Sequence, residues 1–163
     1  MIDMGSGTIH EPVTIISEDE LELAASSRID SFCLINATGG AKIYDESVIH
    51  AGSHIVGTER FEMGPRSVIT YNCVILTSTA DLGYPTSSVV PDEQRQSISA
   101  PVTLKEESFV GSGAVVTPGT TLHEGAVVAA NTYVNSDVPP WTVQLSTGET
   151  RPRPKDSLLF NNE

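Results

Sequence analysis

From Leu104 onward an aliphatic side chain returns at every sixth position: Leu104, Val110, Val116, Leu122, Val128 and Val134. Val, Ile and Leu make up 38 of the 163 residues, so six consecutive hits would arise by chance about once in a thousand trials, even with six phases to choose from. The spacing is therefore a true repeat. Two residues before each aliphatic position stands a small or β-branched one: Val102, Ser108, Ala114, Thr120, Ala126 and Thr132. The same template, run backwards, selects Leu23, Ile29 and Ile35, then Ile43, Ile49 and Ile55, then Met63, Ile69 and Ile75. Its small slot holds Ser27, Cys33, Ala41, Ser47, Ser53, Ser67 and Cys73, with Leu21 and Phe61 as bulkier exceptions.

The interruptions carry as much information as the repeat. The step widens to eight residues between Ile35 and Ile43 and between Ile55 and Met63, and to 29 between Ile75 and Leu104. Each widening follows a third hexad, so three hexads make one turn of a triangular coil and all insertions leave from one corner. Alternation within a hexad predicts a very short strand on each side. The expected fold is all-β, a parallel β-helix of about five coils over residues 21–135, with stacked aliphatic columns supplying burial that no single coil achieves alone. Stacking at roughly 4.8 Å makes it about 24 Å tall. Residues before Leu21 are expected to pair with or cap the first coil, and Pro139 and Pro140 to stop the last, because proline cannot donate to a ladder. The chain reads as one domain, 1–163, with an inserted loop at 77–101 and a tail at 142–163 that ends in a short helix from Lys155. Cys33 and Cys73 share an inward slot two coils apart, near 10 Å, too far for a disulfide. Packing is their expected role.

Charge narrows the partners. Asp and Glu outnumber Lys and Arg by 21 to 9, a net charge of -12 that repels phosphate backbones and anionic lipid headgroups. No nucleic acid or membrane is expected as a partner. No apolar run approaches the roughly 20 residues of a membrane helix, and the first residues lack the basic and apolar regions of a signal peptide. The expectation is a cytoplasmic protein. Two cysteines are too few for a disulfide scaffold or a zinc cluster.

With its hexads in place, the chain resembles the hexapeptide-repeat, or left-handed β-helix, acyltransferases, and among them the sugar O- and N-acetyltransferases of the maltose, galactoside and nucleotide-sugar type. The resemblance spans roughly residues 21 to 143. It is most specific over residues 100–119, which contain Phe109-Val-Gly-Ser-Gly-Ala-Val-Val-Thr-Pro-Gly119, over Val127 to Asn135, and in Asp137-Val-Pro-Pro-Trp141. It implies a left-handed superhelix, a homotrimer of parallel prisms, and acetyl-CoA as co-substrate in a groove between subunits. Carried over position by position, the cofactor site falls on Gly111, Ser112, Ala129 and Ala130, where small residues admit the pantetheine arm close to the backbone. Cations just past the last coil often meet the nucleotide phosphates in this family, and Arg153 and Lys155, with Arg151, are the candidates. The usual Gly-x-Pro-Ala-Lys ending is replaced here by Gly148-Glu-Thr-Arg-Pro-Arg-Pro-Lys155.

Acyl transfer from a thioester needs a group to take the acceptor's proton and donors to stabilise the oxyanion. The insertion at 77–101 is the expected substrate loop, with Ser78, Tyr84 and Arg95 as acceptor-binding candidates beside Asp92 and Glu93. In many relatives its start carries the catalytic histidine, in a run such as Thr-His-x-His-Asp. Here the run is Thr77-Ser-Thr-Ala-Asp81, with Ser78 and Ala80 in the histidine positions. Three readings stay open. His54, outward-facing beside the loop's root, serves as base, with His50 at a different bend as the lesser candidate. Alternatively the acceptor is an amino sugar, whose neutral amine attacks without a strong base while Asp81 or Asn72 orients it. Or catalysis is lost and the chain is a trimeric ligand-binding or scaffold protein. His10 lies outside the repeat, and His123 lies away from the expected cleft. A metal-dependent hydratase like the γ-class carbonic anhydrases would need three histidines around an interface. His50, His54 and His123 lack that spacing, so no metal is expected.

Overall fold

A computed structural model describes residues 7–155. Every inward position named by the hexad template is buried, from Leu23 to Val134. Register follows directly. On the first face Ile29, Ile49, Ile69, Val110 and Val128 stack one above another. On the second the column is Ile35, Ile55, Ile75, Val116 and Val134. On the third it is Leu23, Ile43, Met63, Leu104 and Leu122. The chain is a parallel β-solenoid whose core is these three columns, and no α-helix occurs among the described residues.

The small slot sits at the corners and does hydrogen-bonding work there. Ser47 Oγ donates to the Gly64 carbonyl at 2.8 Å, Ser67 Oγ to Lys105 at 2.9 Å and Ser53 Oγ to Thr70 at 2.6 Å. These hydroxyls give the Gly64 and Thr70 carbonyls a partner that a buried aliphatic residue could not supply, while the Lys105 carbonyl also accepts the Ser108 N–H at 3.1 Å. Cys33 and Cys73 are buried free thiols in that slot. Burial, the largest influence, pushes both thiols above the ordinary cysteine range.

The solenoid is longer than five coils. The first face holds seven parallel strands: Thr8–Ile9, Arg28–Ile29, Val48–Ile49, Val68–Ile69, Phe109–Val110, Val127–Val128 and Thr142–Gln144. Both ends account for the difference. Residues before Leu21 pair with the first coil, as expected, and add full rungs, Thr8–Ile9 on Arg28–Ile29 and Thr14–Ile16 on Leu34–Asn36. Pro139 and Pro140 do not end the stack: they occupy a bend, and Thr142–Gln144 then pairs in parallel with Val127–Val128 before Thr150–Pro152 folds back antiparallel. A proline outside the ladder removes no bond from it. Trp141 caps this end, packed so closely on Gly125 (φ 65°) that a Cβ there would lie 2.6 Å from the indole. The helix expected from Lys155 falls mostly outside the described residues.

The three faces differ outside. Outward positions on the first face are Arg28 and then the aliphatic or aromatic Val48, Val68, Phe109 and Val127; on the second the half-buried Leu34, Val56, Val74, Leu76 and Val115 are joined by the exposed His54 and Tyr133. Those on the third are Glu22, Lys42, Glu62, Thr103 and Thr121. Two aliphatic faces thus flank one corner, and the charged face is opposite.

Candidate functional site

The candidate residues distribute over three corners. The corner between the aliphatic faces follows each first-face strand, so its residues repeat once per turn: His10, Asp30, His50, Thr70, Gly111 and Ala129 form one column, and Tyr71, Ser112 and Ala130 belong to the next. Gly111 is buried, and a Cβ on it would meet the Ala130 nitrogen at 2.5 Å. Close stacking of two turns therefore already demands glycine there. Ser112 and Ala130 are exposed, and the Ser112 hydroxyl donates to Thr70 Oγ1 at 3.1 Å, which donates on to the Val110 carbonyl at 2.7 Å. Asn72, in the left-handed region at φ 56°, is exposed at the same bend.

Below Thr70 this corner carries charge. Asp30 receives His50 Nδ1 on Oδ2 at 2.9 Å and His10 Nδ1 on Oδ1 at 3.0 Å; Arg28 donates from Nη2 to Oδ2 at 3.4 Å, and its Nε is ion-paired with Oδ1 at 2.8 Å. Partial burial, the largest single influence on this carboxyl, raises its pKa, but the hydrogen bonds from His50 and His10 and the Arg28 charge together hold it below the usual aspartate value. The His50 ring stacks on Tyr71, centroids 4.8 Å apart. The sequence reading placed His50 at a different bend from the substrate loop. It does stand away from the loop's root, and it shares its corner with Gly111, Ser112, Ala129 and Ala130. The missed signal was the 20-residue spacing of His10, Asp30 and His50, one turn apart.

The second corner carries the insertion. It is not a structureless loop: Ser78–Ala80 and Ser97–Ser99 pair antiparallel, so a hairpin projects from the solenoid. Asp81 accepts the Gly83 N–H on Oδ1 at 2.9 Å. Arg95 is ion-paired with Asp92, and both line a pocket of about 380 Å³ with Ala80, Pro85, Thr86 and Gln96. Ser78 is half-buried at the hairpin's root, while Tyr84 and Glu93 are exposed. His54 stands on the second face between these two corners, exposed and in register with Leu34 and Val74.

The third corner holds the tail. Arg153 Nη1 donates to the carbonyls of Glu107 at 3.1 Å and Gly125 at 2.9 Å. Its guanidinium lies over the Trp141 ring, as does the Lys155 ammonium. Arg153 thus straps the tail to two turns of the solenoid, and Arg151 is exposed. Beside the strap an open groove of about 650 Å³ is lined by Arg66, Val68, Phe109 and Arg153 among others. His123 lies 3.9 Å from Asp137 on the far side of Leu122. No group of three or more metal-ligating side chains occurs among the described residues, and none of their helices is long and apolar enough to cross a membrane. Within one chain, then, the thioester-binding candidates, the acceptor-binding candidates and the tail cations do not meet.

No protein-family model matches the chain. It is 29% identical to dTDP-4-amino-4,6-dideoxy-D-glucose acyltransferase of Escherichia coli, a match covering 88% of this chain and 79% of the relative. AntD, an N-acyltransferase from Bacillus cereus solved in complex with dTDP and 3-hydroxybutyryl-CoA, superposes with a TM-score of 0.83 at 21% identity, over 93% of this chain and 84% of that one. A maltose O-acetyltransferase from Clostridium difficile 630 gives 0.57 at 17% identity, over 90% and 66%. The resemblance to hexapeptide-repeat sugar acyltransferases is borne out, the first match in sequence and the other two in fold.

Proposed function

We propose that the protein transfers an acyl group, acetyl in the first instance, from acyl-CoA to the amine of a nucleotide-linked amino sugar. The observation that carries this reading is the match along most of the chain to an acyltransferase whose named acceptor is a dTDP-linked 4-amino sugar. The residues agree with an amine acceptor. Where O-acetyltransferases of this type place histidines, this chain has Ser78 and Ala80, and an amine is nucleophilic enough to attack a thioester without being deprotonated first. Asn72 and Asp81 orient it, and Ser78, Tyr84 and Arg95 hold the rest of the acceptor. Ser112 and Ala130 present exposed backbone to the pantetheine arm, with Gly111 and Ala129 beneath them. Lys155 and Arg151 are better placed than the strapped Arg153 to meet phosphates.

A site built from separate corners needs more than one copy of the chain. Packing one face of a copy on a different face of the next is a heterologous contact, which gives a ring when the rotation closes. The ring of three that completes the site is the one that sets the hairpin of one protomer beside the Thr70–Ala129 corner of its neighbour. The homotrimer and the activity are thus one proposal. Its test is direct: incubation with dTDP-4-amino-4,6-dideoxyglucose and acetyl-CoA, following free thiol and product mass. The expected result is stoichiometric CoA release with an N-acetylated nucleotide sugar. Absence of both CoA binding and thiol release defeats the reading.

A further inference from the structure

We propose that His50, held by Asp30, takes the proton from the attacking amine. This rests on the acyltransferase reading and deepens it, supplying the base that the Thr77–Asp81 run lacks. Three observations converge. First, the Asp30 carboxylate accepts from Nδ1 at 2.9 Å, which fixes the tautomer with its proton on Nδ1 and leaves Nε2 with a free lone pair, the arrangement of a histidine general base. Secondly, the ring is immobilised on both counts that matter for proton transfer. Tyr71 stacks on its face, and Asp30 is itself held by His10 on its other oxygen and by the Arg28 guanidinium, which pairs with both. Nε2 has no hydrogen bond among the described residues, and the side chain keeps 22% of its exposure. Thirdly, His50 belongs to the column that continues upward through Thr70 to Gly111 and Ala129. Two turns, about 10 Å, separate it from Gly111. A pantetheine arm running down this corner from Ala130 past Ser112 delivers its thioester to the level of Thr70 and Asn72, one turn from the imidazole.

His54, the other outward histidine near the site, lacks this construction: no carboxylate or aromatic ring fixes it among the described residues. His10 shares Asp30 but stands one turn further from the thioester and is more exposed.

The chemistry balances. The amine nitrogen attacks the thioester carbonyl and a C–N bond forms. His50 Nε2 accepts one N–H proton from the resulting ammonium. The C–S bond then breaks, and the imidazolium returns the proton to the departing thiolate, giving amide and CoA thiol. The groups facing His50 are Asp30, Arg28, His10 and Tyr71, and Asp30 is the positioning residue among them.

The test compares the full-length protein with His50→Gln, Asp30→Asn and a remote control, His123→Gln, using acetyl-CoA and the dTDP-linked 4-amino sugar. CoA binding and thermal unfolding are measured on every variant, and kcat and KM are measured across pH. His50→Gln is expected to lower kcat by on the order of 10²-fold, to abolish the acidic limb of the pH profile, and to leave CoA affinity within about twofold. Asp30→Asn is expected to keep the limb but displace it. His123→Gln is expected to match the unsubstituted chain. Carbethoxylation of His50 by diethyl pyrocarbonate, read by mass spectrometry, is expected to be blocked by CoA. A His50→Gln variant that binds CoA and retains both rate and acidic limb overturns the inference while leaving the acyltransferase reading intact. Failure of the unsubstituted protein to bind CoA or release thiol overturns the reading and this inference together.

Discussion

Asp30 concentrates more of the molecule's electrostatics than any other described residue, because one carboxylate answers two imidazoles and a guanidinium. Its pKa is held below that of a free aspartate, which fixes the sign of its contribution. The stabilisation is complete above the unfolded value, about 3.9, and is lost as pH falls through the lower folded value. Asp30→Asn should therefore cost about 1–2 kcal/mol at pH 7, the scale of hydrogen bonds to a charged group. Urea unfolding should show that deficit shrinking progressively as pH falls below the unfolded value toward and through the lower folded one, and a deficit that stays constant over that range would contradict this sign. Sequence pattern alone reaches such a residue only through the turn length. Once a turn is 20 residues, His10, Asp30 and His50 are necessarily neighbours, but nothing in the hexads says that their side chains join. Arg153 was less accessible still, since its partners are backbone carbonyls of Glu107 and Gly125 and carry no sequence signature.

Single rungs are too short to be stable alone, so the inward columns decide whether the element exists. Ile69 is fully buried between Ile49 and Val110, and Ile69→Ala should cost roughly 3 kcal/mol through lost burial plus an unfilled cavity. A thermal midpoint within a degree of the unsubstituted chain would contradict the stacked-column core. At the C-terminal end, Gly125→Ala places a Cβ against the Trp141 ring in a left-handed residue. It should cost about 2 kcal/mol and speed amide exchange in Thr142–Gln144 while leaving Val48–Ile49 protected. The interior coils were legible in the sequence because both neighbours of each inward residue are apolar. The outermost rungs were not, since Ile9 and Ile15 are covered on one side only and remain partly exposed. The hairpin at Ser78–Ala80 and Ser97–Ser99 was illegible for a related reason: it covers no core, so its strands show no alternation, and Ser97–Ser99 is exposed throughout.

For the whole molecule, the unequal faces decide how it functions. Half-buried aliphatic residues on two faces and charged ones on the third make a prism with sides suited to copies of itself. The predicted assembly has three times the 17.3 kDa chain mass by light scattering. Phe109→Glu, which puts a charge on the first face without touching an inward column, should shift it to monomers and abolish transfer, because the hairpin and the thioester corner then belong to no common site. An active monomer would refute the shared site. The most direct measurement is a crystal structure of the protein with CoA. The pantetheine arm is expected along Ala130, Ser112 and Gly111, its sulfur at the level of Thr70 within reach of His50, and the Ser78–Ser99 hairpin of a neighbouring protomer across it. CoA seated in the Arg66–Phe109 groove or on the charged third face, with that corner empty, would contradict it.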